Sequence, residues 1–318
     1  MEKSMNISVV VPVYNEADSI EELYRRLKET LVQMKKSYEI IMVDDGSADK
    51  SFDKLLELHQ KNNDLTVISF RKNFGQSSAL AAGFDHAKGE CIVTMDGDLQ
   101  NDPKDIPLLV EKLKDYDLVN GWRYKRKDPF LTRKLPSYFA NMLISWVTGV
   151  HLHDYGCTLK AFKKDIAKNL HLYGEMHRFI PAIASWMGVS VGEVKVSHHP
   201  RKHGKSKYGL SRTSKVVLDL INVKFLLAFS TNPIRIFGFW GMLCSASGFV
   251  VLAHLAYIKI FQHVSIGSRP LLLLGILLVV IGLQLLAMGL LGEMLSRIYR
   301  ETEQRPVYVV KKILQKPA

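Results

Sequence analysis

Cysteine is scarce in this sequence. The chain of 318 residues has three cysteines, Cys91, Cys157 and Cys244, which lie far apart and form no CxxC pair. This spacing argues against a disulfide framework and against a zinc site. The first residues also lack the apolar stretch of a signal peptide, so we expect neither a cleaved leader nor secretion.

Two glycine-rich nucleotide motifs are missing as well. The chain has no GxxxxGK[ST] loop, and no GxGxxG follows its first predicted strand. Both motifs cradle phosphates with backbone amides, so their absence argues against nucleotide hydrolysis. Basic residues, in contrast, are abundant. The formal net charge of +12 indicates an anionic partner such as nucleic acid, a phospholipid surface or a phosphorylated substrate.

Short β-branched segments alternate with longer amphipathic ones between residues 7 and 121. We predict strands at residues 7–11, 39–43, 65–70, 91–95 and 117–120. The segment between the first two strands has apolar residues three and four positions apart, which is the pattern of one buried helical face. Alternating strands and helices predict an α/β fold with a mainly parallel sheet flanked by helices.

Polar residues follow each of the first four predicted strands. They are PVYNE at 12–16, DDGS at 44–47, RKNFG at 71–75 and DGDLQ at 96–100. In parallel sheets, ligands bind beyond the carboxyl ends of the strands. The oxygens of Asp96, Asp98 and Gln100 suit a hard divalent cation, and such an ion binds phosphate. Taken alone, the same segment is also compatible with an ordinary turn.

Two long apolar segments lie near the C-terminus. Residues 236–258 carry no formal charge apart from His254, and residues 270–292 have no ionisable side chain. Each would form a helix of about 35 Å, enough to cross a bilayer core of about 30 Å. A buried helix hairpin of a soluble protein is the weaker alternative, because soluble helices rarely stay apolar all round for so long.

The basic residues around these segments predict an orientation. Residues 195–235 contain nine Lys or Arg and one acid, residues 293–318 contain six and three, and the connecting loop 262–269 contains one basic residue. The positive-inside rule then places both flanks and the globular part in the cytosol. Residues 211–230 are typical of a helix lying on the membrane surface, although an ordinary amphipathic domain helix fits nearly as well.

These patterns predict four regions. They are a cytosolic catalytic domain at 1–210, an interfacial amphipathic region at 211–232, two transmembrane helices within 233–295 (about 234–260 and 270–294), and a cytosolic tail at 296–318. Transport of a polar ligand fits poorly, because two helices without intramembrane charges offer no pathway unless an oligomer builds one.

Several motifs together resemble a known family. The segments VVVPVYNE at 9–16, VDDGS at 43–47 and DGDLQ at 96–100 resemble the nucleotide-sugar core of glycosyltransferase family 2, which implies a GT-A-like fold. With residues 154–162, the basic segment 201–208 and two C-terminal membrane helices, the chain resembles polyprenyl-phosphate glycosyltransferases, the class of dolichol-phosphate mannose synthase and bactoprenol glucosyltransferase.

The resemblance implies a donor site. Residues implied to hold or lie near the nucleotide are Pro12, Tyr14, Glu16, Asp44, Asp45, Arg71 and Asn73. Those implied to hold Mg²⁺ or Mn²⁺ on the diphosphate are Asp96, Asp98 and Gln100, with Asp98 required for transfer. Arg201 and Lys207 would close over the diphosphate, assisted by Lys205.

The resemblance also implies an acceptor site. Arg123, Arg133 and Ser137 match positions that grip the lipid phosphate, a task that suits the planar fork of arginine. Asp154 would act as a base or orient the acceptor, although the residues after it are Tyr-Gly-Cys where the family commonly has Thr-Ser-Gly. A phosphate monoester is mostly a dianion at neutral pH, so a strong base is not required, and direct displacement would invert the anomeric centre.

We therefore expect a cell-envelope enzyme, integral to the bacterial plasma membrane, with its catalytic domain and both termini in the cytoplasm. It would transfer a hexose, glucose from UDP-glucose in the first instance, to a polyprenyl phosphate. Alternative donors are GDP-mannose, UDP-N-acetylglucosamine, UDP-galactose and UDP-formylaminoarabinose. A processive polysaccharide synthase normally has more spans and a QxxRW motif, which this chain lacks. A non-catalytic membrane scaffold is the alternative from another class. A second copy of the chain and a flippase are further candidate partners, and no nucleic-acid partner is expected.

Overall fold

The structure is a computed structural model that describes residues 6–124, 141–142, 144–145, 148–172, 174, 176–200, 233–267, 269–302 and 307–316. The chain divides into two compact units. One comprises Met1–Val223 together with Pro306–Ala318, and the other comprises Lys224–Arg305. The chain thus leaves the first unit, forms the second, and returns to the first for its last residues.

Strands and helices alternate along the first part of the larger unit. The elements are β1 (Ile7–Val13), α1 (Ile20–Gln33), β2 (Tyr38–Asp44), α2 (Ser51–Lys61), β3 (Leu65–Phe70), α3 (Gln76–His86), β4 (Cys91–Thr94), α4 (Ile106–Lys112) and β5 (Leu118–Arg123). The later elements are β6 (Lys160–Lys163), α5 (Lys164–Lys168), α6 (Ile180–Trp186), β7 (Val191–Val196) and β8 (Val310–Leu314).

These strands form one eight-stranded sheet in the order β7-β5-β6-β4-β1-β2-β3-β8. Strands β4, β1, β2 and β3 are adjacent and parallel, and β5 is parallel to β7. Strand β6 runs antiparallel between β4 and β5, and β8 runs antiparallel to β3. The predicted α/β fold with a mainly parallel sheet is therefore confirmed.

The core explains why the local patterns predict this part of the fold. Val9, Val11 and Val93 on the central strands are fully buried, as expected where helices cover both faces of a parallel sheet. On α1 the predicted apolar face, including Leu23 and Leu27, is buried against them. All five predicted strands are present, and β5 continues three residues beyond its predicted end.

Sequence analysis did not predict β8. Residues 310–314 lie in the segment predicted as a cytosolic tail, and they form the edge strand next to β3. The interfacial region predicted at 211–232 lies outside the described residues.

The smaller unit contains two long helices, α7 (Pro233–Phe261) and α8 (Pro270–Thr302). Each includes a segment long and apolar enough to cross a membrane, Phe237–Phe261 and Pro270–Leu295. Only 22% of the most apolar window in α7 and 11% of that in α8 is buried within the protein, whereas a core helix of a soluble protein would be mostly buried. This exposure favours a lipid environment.

Glycines allow the two helices to pack closely. A Cβ added at Gly241 would lie 2.8 Å from the carbonyl oxygen of Gly282, and one added at Gly248 would lie 2.8 Å from that of Gly275. Small residues let helix backbones approach each other in this way in membranes. These glycines therefore allow close packing between the two helices of the hairpin.

Candidate active site

The carboxyl ends of four adjacent parallel strands meet at one edge of the sheet. The Asp45 amide donates to the Val13 carbonyl over 2.9 Å, which joins the ends of β2 and β1. A Cβ at Gly97 would lie 3.3 Å from the carbonyl oxygen of Pro12 and 3.9 Å from Cγ of Glu16. The segment after β4 therefore packs directly on the segment after β1.

Two buried carboxylates lie at the end of β2, where Asp44 is the last residue of the strand and Asp45 follows it. Asp44 accepts a hydrogen bond of 2.9 Å from the Ser69 hydroxyl. Asp45 accepts from the backbone amides of Phe74 and Gly75 over 2.7 and 2.9 Å. Burial raises the pKa of Asp45 to about 6, the two amides oppose this rise, and the charge of Asp44 adds to it. Asp45 thus holds the loop after β3 against the end of β2.

The segment after β4 brings two more carboxylates to the same edge. Asp96 accepts a hydrogen bond of 2.7 Å from Nε2 of Gln76, and it accepts another from the side chain of Thr158. Asp98 accepts a hydrogen bond of 3.1 Å from the backbone amide of Gln100. Burial and the neighbouring Asp98 raise the pKa of Asp96. Gln76 and Thr158 were not predicted to belong to the site.

Leu99 shows that this segment is held in an uncommon conformation. Its φ is 62°, in the left-handed region that residues other than glycine rarely adopt, and its side chain is buried. The burial anchors the turn between Asp98 and Gln100. Such strain occurs most often at functional sites.

A divalent cation fits Asp96, Asp98 and Gln100. Among the described residues, no three His, Cys, Asp or Glu side chains group so as to hold a metal ion by themselves. However, Mg²⁺ is commonly held by one or two carboxylates together with substrate phosphates rather than by a cage of protein ligands. Burial and the charge of Asp98 raise the pKa of Asp96, and a bound cation would lower it.

Arg123 and Asp154 form a bidentate salt bridge near the carboxylate of Asp96. Nε and Nη2 of Arg123 donate to the two carboxylate oxygens of Asp154 over 2.6 and 2.8 Å. The Asp154 carboxylate also accepts from the backbone amide of Gly156 over 3.1 Å. The arginine predicted to grip the lipid phosphate is therefore paired with the aspartate predicted to act as a base. This arrangement fits an orienting role for Asp154 better than a basic one.

Lys160 adds a cation that sequence analysis did not assign. It lies on β6, is almost fully buried, and donates to the carbonyl oxygen of Cys157. Burial lowers its pKa, while the charges of Asp154 and Asp96 act in the opposite direction. The signal in the sequence is a lysine within the apolar segment LKAF at 159–162.

Other predicted residues lie on the surface or outside the described part of the chain. Tyr14, Arg71 and Asn73 are exposed on the loops at the sheet edge. Those that lie outside the described residues are Arg133, Ser137, Arg201, Lys205 and Lys207.

Comparison with known proteins identifies the family. The sequence profile of glycosyl transferase family 2 matches residues 8–170. The chain is 42% identical over 316 residues to dodecaprenyl-phosphate galacturonate synthase of Rhizobium johnstonii, with 98% of this chain and 94% of that protein covered. The chain belongs to glycosyltransferase family 2. It is also 35% identical over 312 residues to the undecaprenyl-phosphate 4-deoxy-4-formamido-L-arabinose transferase of Pseudomonas aeruginosa. That match covers 97% of this chain and 90% of the transferase.

Solved structures support the GT-A-like fold of this glycosyltransferase. Glucosyl-3-phosphoglycerate synthase of Mycobacterium tuberculosis, in complex with Mn²⁺, UDP and glucosyl-3-phosphoglycerate, matches with a TM-score of 0.53. The match covers 70% of this chain and 79% of that one at 17% identity. The complex of that synthase with Mn²⁺ and UDP-glucose gives the same TM-score at 18% identity. At this identity the likeness concerns the fold.

The Arg123–Asp154 pair generates a prediction about stability. Replacing Asp154 by Asn leaves a largely buried guanidinium without its counter-charge, since the two side chains are 14% and 8% exposed. We expect Asp154→Asn to lower the free energy of unfolding by about 3–5 kcal/mol. Thermal unfolding in detergent measures the change.

Asp115→Asn is the matched control, because it breaks the exposed Lys112–Asp115 pair. It should leave stability nearly unchanged, since exposed ion pairs contribute little. A loss in Asp154→Asn as small as that of the control would contradict a structural role for the buried pair.

Proposed function

We propose that this glycosyltransferase moves a sugar from a nucleotide-sugar to a polyprenyl phosphate at a membrane. The observation that carries the proposal is the placement of the Asp96–Asp98 carboxylates beside the Arg123–Asp154 pair. One group suits a metal-bound diphosphate, and the other suits a phosphate monoester. The names of the similar proteins, and the two apolar helices of this chain, support the lipid acceptor.

The donor would occupy the edge formed by the ends of β1 to β4. Asp45 and the loop after β3 would hold the nucleoside, and Asp96, Asp98 and Gln100 would hold Mg²⁺ or Mn²⁺ on the diphosphate. When bound, the ion would neutralise the charge that develops on the departing nucleoside diphosphate. The buried Asp98 and the hydrogen bond from Gln76 to Asp96 keep the two carboxylates in position before the donor arrives.

The acceptor phosphate would meet Arg123 on the neighbouring side. Asp154 fixes the guanidinium in one orientation through Nε and Nη2, which leaves the Nη1 side to donate to a phosphate oxygen. Because the phosphate is already mostly a dianion, positioning rather than proton removal would supply most of the acceleration. In-line attack by this oxygen would invert the anomeric centre.

We further propose that the donor carries an axial substituent at C4. Galacturonate and 4-deoxy-4-formamido-L-arabinose, the sugars in the names of the two similar proteins, share their configuration at C2, C3 and C4. Glucose, expected from sequence analysis, differs from both at C4. UDP-galacturonate is therefore the first donor to test, and its C4 epimer UDP-glucuronate is the matched comparison.

Transfer from a panel of donors tests the proposed function. Membranes containing the protein would be incubated with Mg²⁺, polyprenyl phosphate and labelled UDP-galacturonate, UDP-glucuronate, UDP-galactose, UDP-glucose, UDP-formylaminoarabinose, UDP-N-acetylglucosamine or GDP-mannose. We expect labelled lipid from a donor with axial C4, lost on chelation, and a β-linked product from an α-linked donor by proton NMR.

Asp98→Asn should reduce this transfer at least a hundredfold while the protein stays folded, because the diphosphate loses a charged ligand of its counter-ion. Labelled lipid from no donor would refute the function. Efficient transfer only from gluco-configured donors would refute the C4 proposal alone, and an α-linked product would refute inversion.

We also propose that the membrane hairpin starts and ends on the cytoplasmic side. Strand β8 follows the hairpin and belongs to the same sheet as the strands that precede it, so the chain must return to the side it left. The excess of Lys and Arg in both flanks supports the cytoplasm as that side.

Thiol labelling of intact cells tests this orientation in a Cys244→Ser background. Ser265→Cys, between the two helices, should react with a membrane-impermeant reagent. Lys311→Cys, on β8, should react only after permeabilisation. Labelling of both positions, or of neither, in intact cells would contradict the proposal.

The raised pKa of Asp45 predicts a pH dependence of donor binding. Above pH 6 the carboxylate is ionised and accepts strongly from the amides of Phe74 and Gly75. Below pH 6 it is protonated, the loop is held less firmly, and affinity for the nucleoside of the active donor, which has no phosphate to titrate in this range, should fall. In Asp45→Asn the affinity should be lower and nearly independent of pH between 5 and 7. An unchanged pH profile in this variant would contradict the assignment.

A further inference from the structure

The last strand of the chain lies next to the loop proposed to hold the nucleoside. We define this donor loop as residues 71–75 and propose that the C-terminal segment, residues 307–316, positions it through Tyr308 and the Val309 carbonyl. The inference rests on the proposed function, because it assigns a further positioning element to the same donor site.

Backbone pairing brings the C-terminal segment to the donor loop. Strand β8 runs antiparallel to β3, with Leu314 opposite Val67 and Val310 opposite Phe70. The register shifts between Ser69 and Phe70, at the end of β3 from which the loop departs. Beyond the shift, the Arg71 amide donates to the Val309 carbonyl over 3.1 Å. The first residue of the donor loop is therefore bonded to the C-terminal segment.

Aromatic contacts extend this support into the loop. The Tyr308 ring stacks on Phe70 with a centroid separation of 5.0 Å and an interplanar angle of 16°. Phe70 in turn meets Phe74 edge-on at 5.8 Å and 89°. Offset-stacked and edge-to-face pairs both stabilise beyond the area that they bury. A continuous series of three rings thus leads from the C-terminal segment to the loop.

Tyr308 also joins the loop to the helix that follows it. Its hydroxyl donates to Oδ2 of Asp85, on α3, over 2.8 Å, and the side chain is buried. On the opposite side, Asp45 accepts from Phe74 and Gly75. The donor loop is consequently held from one side by β2 and from the other by the C-terminal segment.

The exposure of the other apolar side chains argues against a purely structural role for the C-terminal segment. Val307, Val309 and Ile313 are exposed by 42%, 50% and 43%, and Leu314 at the far end of the strand is only partly buried against the apolar core. Burial concentrates at Tyr308, the residue that touches the end of β3. Loss of Tyr308 should therefore disturb the donor loop more than the rest of the domain.

Steady-state kinetics of full-length variants test the inference. Tyr308→Leu keeps apolar bulk but removes the ring stack and the hydroxyl, and we expect it to raise the donor KM about tenfold. The KM for polyprenyl phosphate and the melting temperature should change little. Tyr308→Phe restores the stack and should raise the donor KM only two- to threefold. Ile313→Ala, at an exposed position of the same strand, should match the wild type.

Two results would overturn the inference. One is an unchanged donor KM in Tyr308→Leu, and the other is an equal change in both KM values together with a lower melting temperature. Should Tyr308→Leu fail to fold, an unchanged donor KM in Tyr308→Phe would overturn it instead. Failure of the proposed function is distinguishable, because the wild type itself would then transfer no sugar from any donor.

Discussion

The crowding of carboxylates at one edge of the sheet is the constraint on which the rest of this structure depends. Asp44, Asp45, Asp96 and Asp98 lie at or just beyond the ends of two strands that both pair with β1, and all except Asp96 are buried. Buried charges are costly unless they are hydrogen-bonded or paired. Backbone amides, hydroxyls and the Gln76 amide supply these partners. The elements that carry them, notably the loop after β3 and the start of α3, are thereby held at the edge.

The crowding of carboxylates also accounts for two buried or half-buried cations close to them. Arg123 and Lys160 lie within electrostatic reach of Asp96, and both interact with Asp154. Negative charge on the segment after β4 and positive charge on β6 and β5 thus lie close together in the sheet. A two-substrate site needs both kinds of charge close together. Asp154 pairs with the Arg123 guanidinium through both of its carboxylate oxygens.

The return of the chain from the helix hairpin to the sheet gives the protein its second distinctive feature. Strand β8 closes the edge beside β3, and Tyr308 packs where the proposed donor loop begins. The C-terminal residues therefore belong to the catalytic unit and not to a separate tail.

Local patterns in the sequence determined strands β1 to β5, the apolar face of α1, the two apolar helices and the carboxylates at the strand ends. Each depends on side-chain periodicity or on the rule that ligands bind at carboxyl ends of strands. Only the tertiary structure decided that β8 pairs with β3, that Gln76 supports Asp96, and that Asp154 is paired with Arg123. Strand β8 is short and half polar, and its partner lies more than two hundred residues earlier in the chain. Periodicity records which face of a segment is buried, whereas the identity of a distant partner is set by packing of the whole chain.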